Sequence, residues 1–150
     1  MKNDGIGFFL KVSKQRLWDA KALLATEKTE RERGSLYICG YSVECMLKAI
    51  LIARAPAPST TLTQAEDAYR ANNANFPELS TKRGHDLELL FELCASEGSV
   101  EFSPDETSLF GVAKKWQHVW RYQSQRPKPG FAQNFVAAAE RLVNSIERHC

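Results

Sequence analysis

Four side chains in the most apolar stretch of the chain have the types and spacing for chemistry: Tyr37, Tyr41, Glu44 and Lys48. At 100° per residue they fall within about 60° of one another on a helix, so one narrow stripe carries two phenols, a carboxylate and an ammonium. Such a stripe has two uses. Glu44 and Lys48 can form an i,i+4 ion pair, which inside a bundle needs a further hydrogen-bond partner from a neighbouring helix. Alternatively, the stripe lines a cleft together with a cation from later in the chain, Arg121. A second group, His85 and Asp86, stands at a helix start, where Asp86 suits the positive end of the dipole. His85 either bonds locally or acts as an acid–base group beside Glu44 or Arg121. A third group is Trp116, Trp120, Arg121 and Tyr122, with His118 three residues before Arg121. The tryptophans, four apart, are expected to share a core-facing side. Arg121 either pairs with Glu44 or reaches a phosphate bidentately, and Arg126 and Lys128 extend it into a basic rim suited to a phosphate backbone. The candidate catalytic residues are therefore Arg121, His85 and Glu44, and the candidate ligand-binding residues are Tyr41, Lys48, Arg121, Tyr122 and Arg126. No HExxH, Walker or Gly-rich phosphate loop is present, so neither a metal nor a cofactor is expected.

The elements that must position these residues are helices. The stretch Leu36–Ala53, LYICGYSVECMLKAILIA, is apolar nearly all round apart from the stripe, which marks a buried central helix. An amphipathic helix over about residues 6–27 precedes it. Thr29-x-x-Glu32 has the pattern of a capping box for the central helix, and Pro56 and Pro58 end that helix near Ala55. Thr63-x-x-Glu66 is a second such pattern and opens a short helix to about Asn72. After a loop, HDLELLFELCASEG reads as a helix of about three turns that stops at Gly98. Ser103-Pro104-Asp105-Glu106 combines a cap, Pro at the first helical position and Glu at the third. The helix it opens is expected to run through Trp116 and Trp120 to about Tyr122. A break at RPKPG precedes a last helix over Phe131–Arg148, with Phe135, Ala138, Leu142 and Ile146 in register. No stretch alternates at period two. The expectation is an all-α bundle of five or six helices occupying residues 1–150 as one domain.

Composition narrows the partners. Twenty basic and 18 acidic residues leave a net charge of +2, so any nucleic-acid contact needs a local patch. Cys39, Cys45, Cys94 and Cys150 show neither CxxC nor His-paired metal spacing, and three of them sit in apolar helical runs. That usage points to a reducing, cytoplasmic setting. The N-terminus has no signal-peptide h-region. Glu44 and Lys48 at the centre of the apolar stretch argue against a transmembrane helix and against a membrane partner.

Three blocks in order, GYSVECMLKAI at 40–50, GHDLELL at 84–90 and W-x3-WRY at 116–122, resemble a HEPN domain. The resemblance spans about Leu17 to Leu142, with the first block the most specific. It implies an up-and-down helical bundle, a homodimer, and a prokaryotic setting beside a nucleotidyltransferase or within a toxin–antitoxin or defence system. The partner would then be a nucleotidyltransferase or an antitoxin, with RNA or a nucleotide as possible ligand. Many members are metal-independent ribonucleases that carry Arg, four to six residues, then His on a late helix of each subunit. None of His85, His118 and His149 has an Arg at that spacing; Arg141 precedes His149 by eight, and Arg126 stands where a His would serve. Arginine does not titrate near neutrality and so cannot replace the imidazole in acid–base cleavage. The expected function is a non-catalytic dimerising module that binds a partner protein, a nucleotide or RNA. The alternative is a diverged ribonuclease built on Arg121 at a dimer cleft.

Overall fold

Eleven consecutive residues, Ser42–Ile52, are all buried, and they form the second half of the helix around which the others pack. The protein's structure, a computed structural model, describes residues 4–117, 119–120, 123 and 125–150. Among these the regular elements are helices: α1 (Ile6–Ala25), α2 (Glu32–Ala53), α3 (Leu62–Asn72), α4 (Leu87–Ser96), α5 (Pro104–Ala113) and α6 (Phe131–Ile146). Helix α2 is the hub, packed against α1, α3, α4 and α6, and α5 lies on α6. The α2 segment with its lead-in, Thr29–Ala53, is long and apolar enough to cross a membrane, but 78% of its most apolar window is buried inside the bundle. Its apolarity is explained by that burial.

Small residues let α1 and α2 approach closely. Ser13 Oγ donates to the Ser42 carbonyl at 2.7 Å and Ser42 Oγ donates to the Ser13 carbonyl at 2.7 Å, all of it buried. The reciprocal pair satisfies both hydroxyls without solvent. On the other side of α2, Tyr69 of α3 donates its phenol to the Leu51 carbonyl at 2.7 Å.

Three element boundaries depart from the sequence pattern. Thr29 does not cap α2; Thr29–Arg31 forms a 3-10 turn, Arg31 is the N-cap without a side-chain bond, and Glu32 is turned inward. The second capping box lies two residues earlier than Thr63: Thr61 Oγ1 accepts from Gln64 N, and Gln64 Oε1 accepts from Thr61 N. Backbone bonds from Ile6 N to Thr60 O and from Leu62 N to Asp4 O, both 2.8 Å, pin this start against the head of α1. Glu66 is then buried, accepting from Leu79 N at 3.0 Å.

The largest departure is at α5, which stops at Ala113 rather than continuing to Tyr122. Trp116 leaves the helix to fill a notch on α2, where its Nε1 donates to the Tyr37 carbonyl at 3.1 Å. The notch exists because residue 40 is glycine; a Cβ there would lie 2.1 Å from the indole. Trp120 is buried separately, edge-on to Phe131 and Phe135 of α6. Both tryptophans are core residues, but not on one helical face.

The Ser103 box forms as expected and does more. Glu106, fully buried, accepts from Ser103 N at 2.9 Å, Ser145 Oγ at 2.7 Å, Arg148 Nε at 3.1 Å and Nη2 at 3.2 Å, and lies 3.2 Å from His149 Nε2. These bonds tie the start of α5 to the end of α6 and the 3-10 turn Glu147–His149 that follows it. Burial alone would raise the Glu106 pKa, but the hydrogen bonds from Ser145, Ser103, Arg148 and His149 outweigh it and hold the group at about 2.

Two outcomes follow from these contacts. Gly40→Ala is expected to destabilise the fold by about 1–3 kcal/mol or more through overpacking, and by much less in a Trp116→Ala background, in a urea-melt double-mutant cycle. Because the folded pKa of Glu106 lies below its ordinary value, its stabilisation is complete above pH 4.5 and is lost as pH falls from there towards about 2. Melting curves across that window should show Glu106→Gln flattening the acid limb of the wild-type profile.

Candidate functional site

The α2 stripe closes on itself and on the turn before α4. Lys48 Nζ donates to Glu44 Oε1 at 2.6 Å, and His85 Nδ1 lies 3.1 Å from Glu44 Oε2. Both carboxylate oxygens are therefore engaged inside the protein, with Glu44 and Lys48 buried and His85 about one third exposed. Lys48 also stands 5.8 Å from the Phe9 ring centroid, over its face. Further along the stripe, Tyr37 donates to the Tyr41 phenol at 3.0 Å, and Tyr41 meets Trp116 and His85 edge-on at 5.4 and 6.0 Å. The four stripe residues thus form a continuous polar and aromatic seam with His85 and Trp116.

Local sequence explains how His85 reaches Glu44. Lys82–His85 is a 3-10 turn started by Thr81, and Asp86 then caps α4 by accepting from Leu89 N at 3.1 Å. At Gly84 a Cβ would stand 1.8 Å from the Leu79 carbonyl oxygen, so the turn packs this tightly only with glycine. The GHDL block is a positioning device: glycine for approach, histidine inward, aspartate as cap, leucine into the core.

His85 borders a groove of about 410 Å³. The turn and the start of α4 supply Lys82, His85, Asp86, Leu87 and Glu88; the segment after α5 supplies Lys114, Trp116, Gln117 and Val119. Lys114 and Glu88 form a 3.6 Å ion pair, both side chains well exposed. Of the sequence candidates, Tyr41, Glu44, Lys48 and His85 are brought together, and of these four His85 lines the groove. Arg126 is not; it lies 3.6 Å from Glu32 beside a separate hollow with Thr29, Arg33 and Pro127. His118, Arg121 and Tyr122 fall outside the described residues. Sequence reasoning missed Lys82, Lys114, Gln117 and Val119, whose only signal is two basic pairs, Lys82-Arg83 and Lys114-Lys115, flanking the two candidate motifs.

A buried carboxylate that fixes one nitrogen of an imidazole at the edge of a groove is an arrangement that can orient a histidine for hydrogen bonding or proton transfer. Burial pushes the Cys39 and Cys45 thiols up to about 12, well away from the reactive thiolate form. Among the described residues no group of three or more His, Cys, Asp or Glu side chains is placed to hold a metal ion. No family model, curated protein or solved structure matches the chain.

The Glu44–Lys48 pair sets a test of its own. Removing one partner leaves a buried uncompensated charge, so Glu44→Ala should cost about 3–5 kcal/mol. The volume-matched double replacement Glu44→Leu with Lys48→Met should be near neutral by chemical denaturation, because both desolvated charges disappear together.

Proposed function

We propose that the protein is a HEPN-like module that dimerises and binds a partner protein, a nucleotide or RNA at the groove beside His85, without chemistry of its own. The setting that suits it is a prokaryotic toxin–antitoxin, defence or nucleotidyltransferase-associated system. The observation that carries this reading is the closure of Glu44. With one oxygen on Lys48 and the other beside His85, the carboxylate is buried and committed to the fold. The stripe then serves to hold His85 in place at the groove, and the Arg-to-His spacing of the ribonuclease members is missing from the chain.

One contact favours a second reading. The 3.1 Å approach of Glu44 to His85 Nδ1 is how a carboxylate orients a catalytic imidazole. A metal-independent ribonuclease would use His85 as its acid–base group, Glu44 as the residue that positions it, and Arg121 for the phosphate.

Purified protein incubated with mixed structured RNA in EDTA separates the two. The module reading expects no cleavage above a His85→Ala control, together with a sedimentation mass of two chains at micromolar concentration. Cleavage abolished in both His85→Ala and Arg121→Ala, with folding intact, would establish the ribonuclease instead.

A further inference from the structure

We propose that the solvent face of α1 pairs with the same face of a second copy, the two helices antiparallel about a two-fold axis between residues 14 and 15. The inference rests on the dimerising half of the module reading and names the surface that makes the dimer. It stands on what α1 leaves exposed, on the order of those residues, and on their charge.

Helix α1 turns Phe9, Ser13, Leu17 and Ala20 into the core, and its opposite side is uncovered. Trp18 stands there 72% exposed, the most open large apolar side chain among the described residues. At 100° per residue Gly7, Lys11, Trp18 and Ala22 fall within about 60° of one another, and all four are exposed. A Cβ at Gly7 would meet nothing within 4 Å, so the head of this stripe is open to a neighbour. Phe8, 38% exposed, borders the stripe and widens its apolar area. Covering the indole and this border removes apolar surface from water.

The order of the four residues selects the occupant. Their spacings are four, seven and four, so the stripe has the same spacing from either end. A two-fold contact places residue i against j and j against i. With an antiparallel copy, Gly7 meets Ala22 and Lys11 meets Trp18, each twice. Gly7 against Ala22 lets the backbones approach closely at both ends, because neither side chain exceeds a methyl group. Between these ends each Trp18 ring receives the Lys11 ammonium of the other copy, a cation–π contact. A parallel copy would instead set Lys11 against Lys11, with like charges opposed.

Charge points the same way. Lys14, Arg16 and Lys21 of α1 are already paired, with Glu147 at 2.6 Å, Asp19 at 2.9 Å and Glu140 at 2.7 Å. Lys11 forms no ion pair with a described residue. One open cation is too few to draw the helix to an anionic lipid surface, which takes a cluster. It matches the one open indole of a second copy. A single helical seam is small for an interface, so association in the micromolar range is expected.

Sedimentation equilibrium and disulfide trapping of the full chain test this. Wild type should have the mass of two chains at micromolar concentration. Trp18→Asp should weaken association at least tenfold and Lys11→Glu at least fivefold. Lys11→Arg should retain it, and Glu92→Lys, on α4, should leave it unchanged. All three side chains are exposed, and thermal melts check that the variants fold. The other three native thiols being buried, trapping uses a Cys150→Ser background. There Gly7→Cys mixed with Ala22→Cys should give a disulfide-linked pair under mild oxidation, and neither variant should link to itself. Self-linked Gly7→Cys without the mixed product overturns the proposal. A Trp18→Asp variant that keeps the mass of two chains also overturns it, and leaves a module that dimerises through another face. A one-chain mass for wild type overturns the proposal and the dimer together; binding to anionic vesicles that Trp18→Asp abolishes would then give this face to a membrane. The module reading fails separately, through cleavage of RNA that depends on His85.

Discussion

A helix enclosed on every side cannot carry an ionised side chain unless the neighbouring elements complete its charge and its hydrogen bonds. Helix α2 carries Glu44 and Lys48 in its fully buried half, and the rest of the site follows from how that demand is met. Lysine one turn along satisfies one oxygen. The other oxygen is left for a different element, and the turn before α4 brings His85 to it. The chain between α3 and α4 is thereby fixed to the core at one side chain, and Asp86 can cap α4 in a defined position. Electrostatics here fixes register rather than adding much net stability, since the cost of desolvating both ions offsets much of their attraction.

The opposite wall of the groove depends on packing. A tryptophan that would extend α5 instead enters the space above Gly40 and donates to a carbonyl of α2. Burying an indole and satisfying its N–H outweighs a few more residues of helix, whose intrinsic gain is only tenths of a kcal/mol each. The segment after α5 is then led past His85, and Arg33 fastens its far end through two bonds to the Gln125 carbonyl, at 3.0 and 2.8 Å. The groove is the space left between two segments drawn to α2 for separate reasons.

Two of the buried carboxylates, Glu106 and Glu44, have contrasting surroundings. Glu106 is wrapped by donors from its own capping box, from the last turn of α6 and from the 3-10 turn that follows it, and it locks two helix ends together. Glu44 has a solvent-reaching histidine as one of its two partners. The first arrangement is closed and holds the fold; the second transmits the order of the core to the edge of a groove.

Much of this was legible in sequence because it rests on short-range rules. The apolar run 36–53, the proline stops at 56 and 58, the Ser103–Glu106 box and the stripe at 37, 41, 44 and 48 follow from helical period and backbone chemistry within a few residues. What failed did so where distant partners compete with those rules. Thr63 lost the cap to Thr61 because residues 60–62 bond to the head of α1, and α5 ended early because Gly40, more than seventy residues away, offers Trp116 a better place. Sequence by itself determined that α2 must be buried and that Glu44 needs partners, since composition and period fix burial and burial fixes the demand. Only the tertiary structure decided that His85 is the second partner, beside the Lys48 that helical spacing already offers, and that Arg126 turns to Glu32, because which side chains meet across elements depends on how the helices pack.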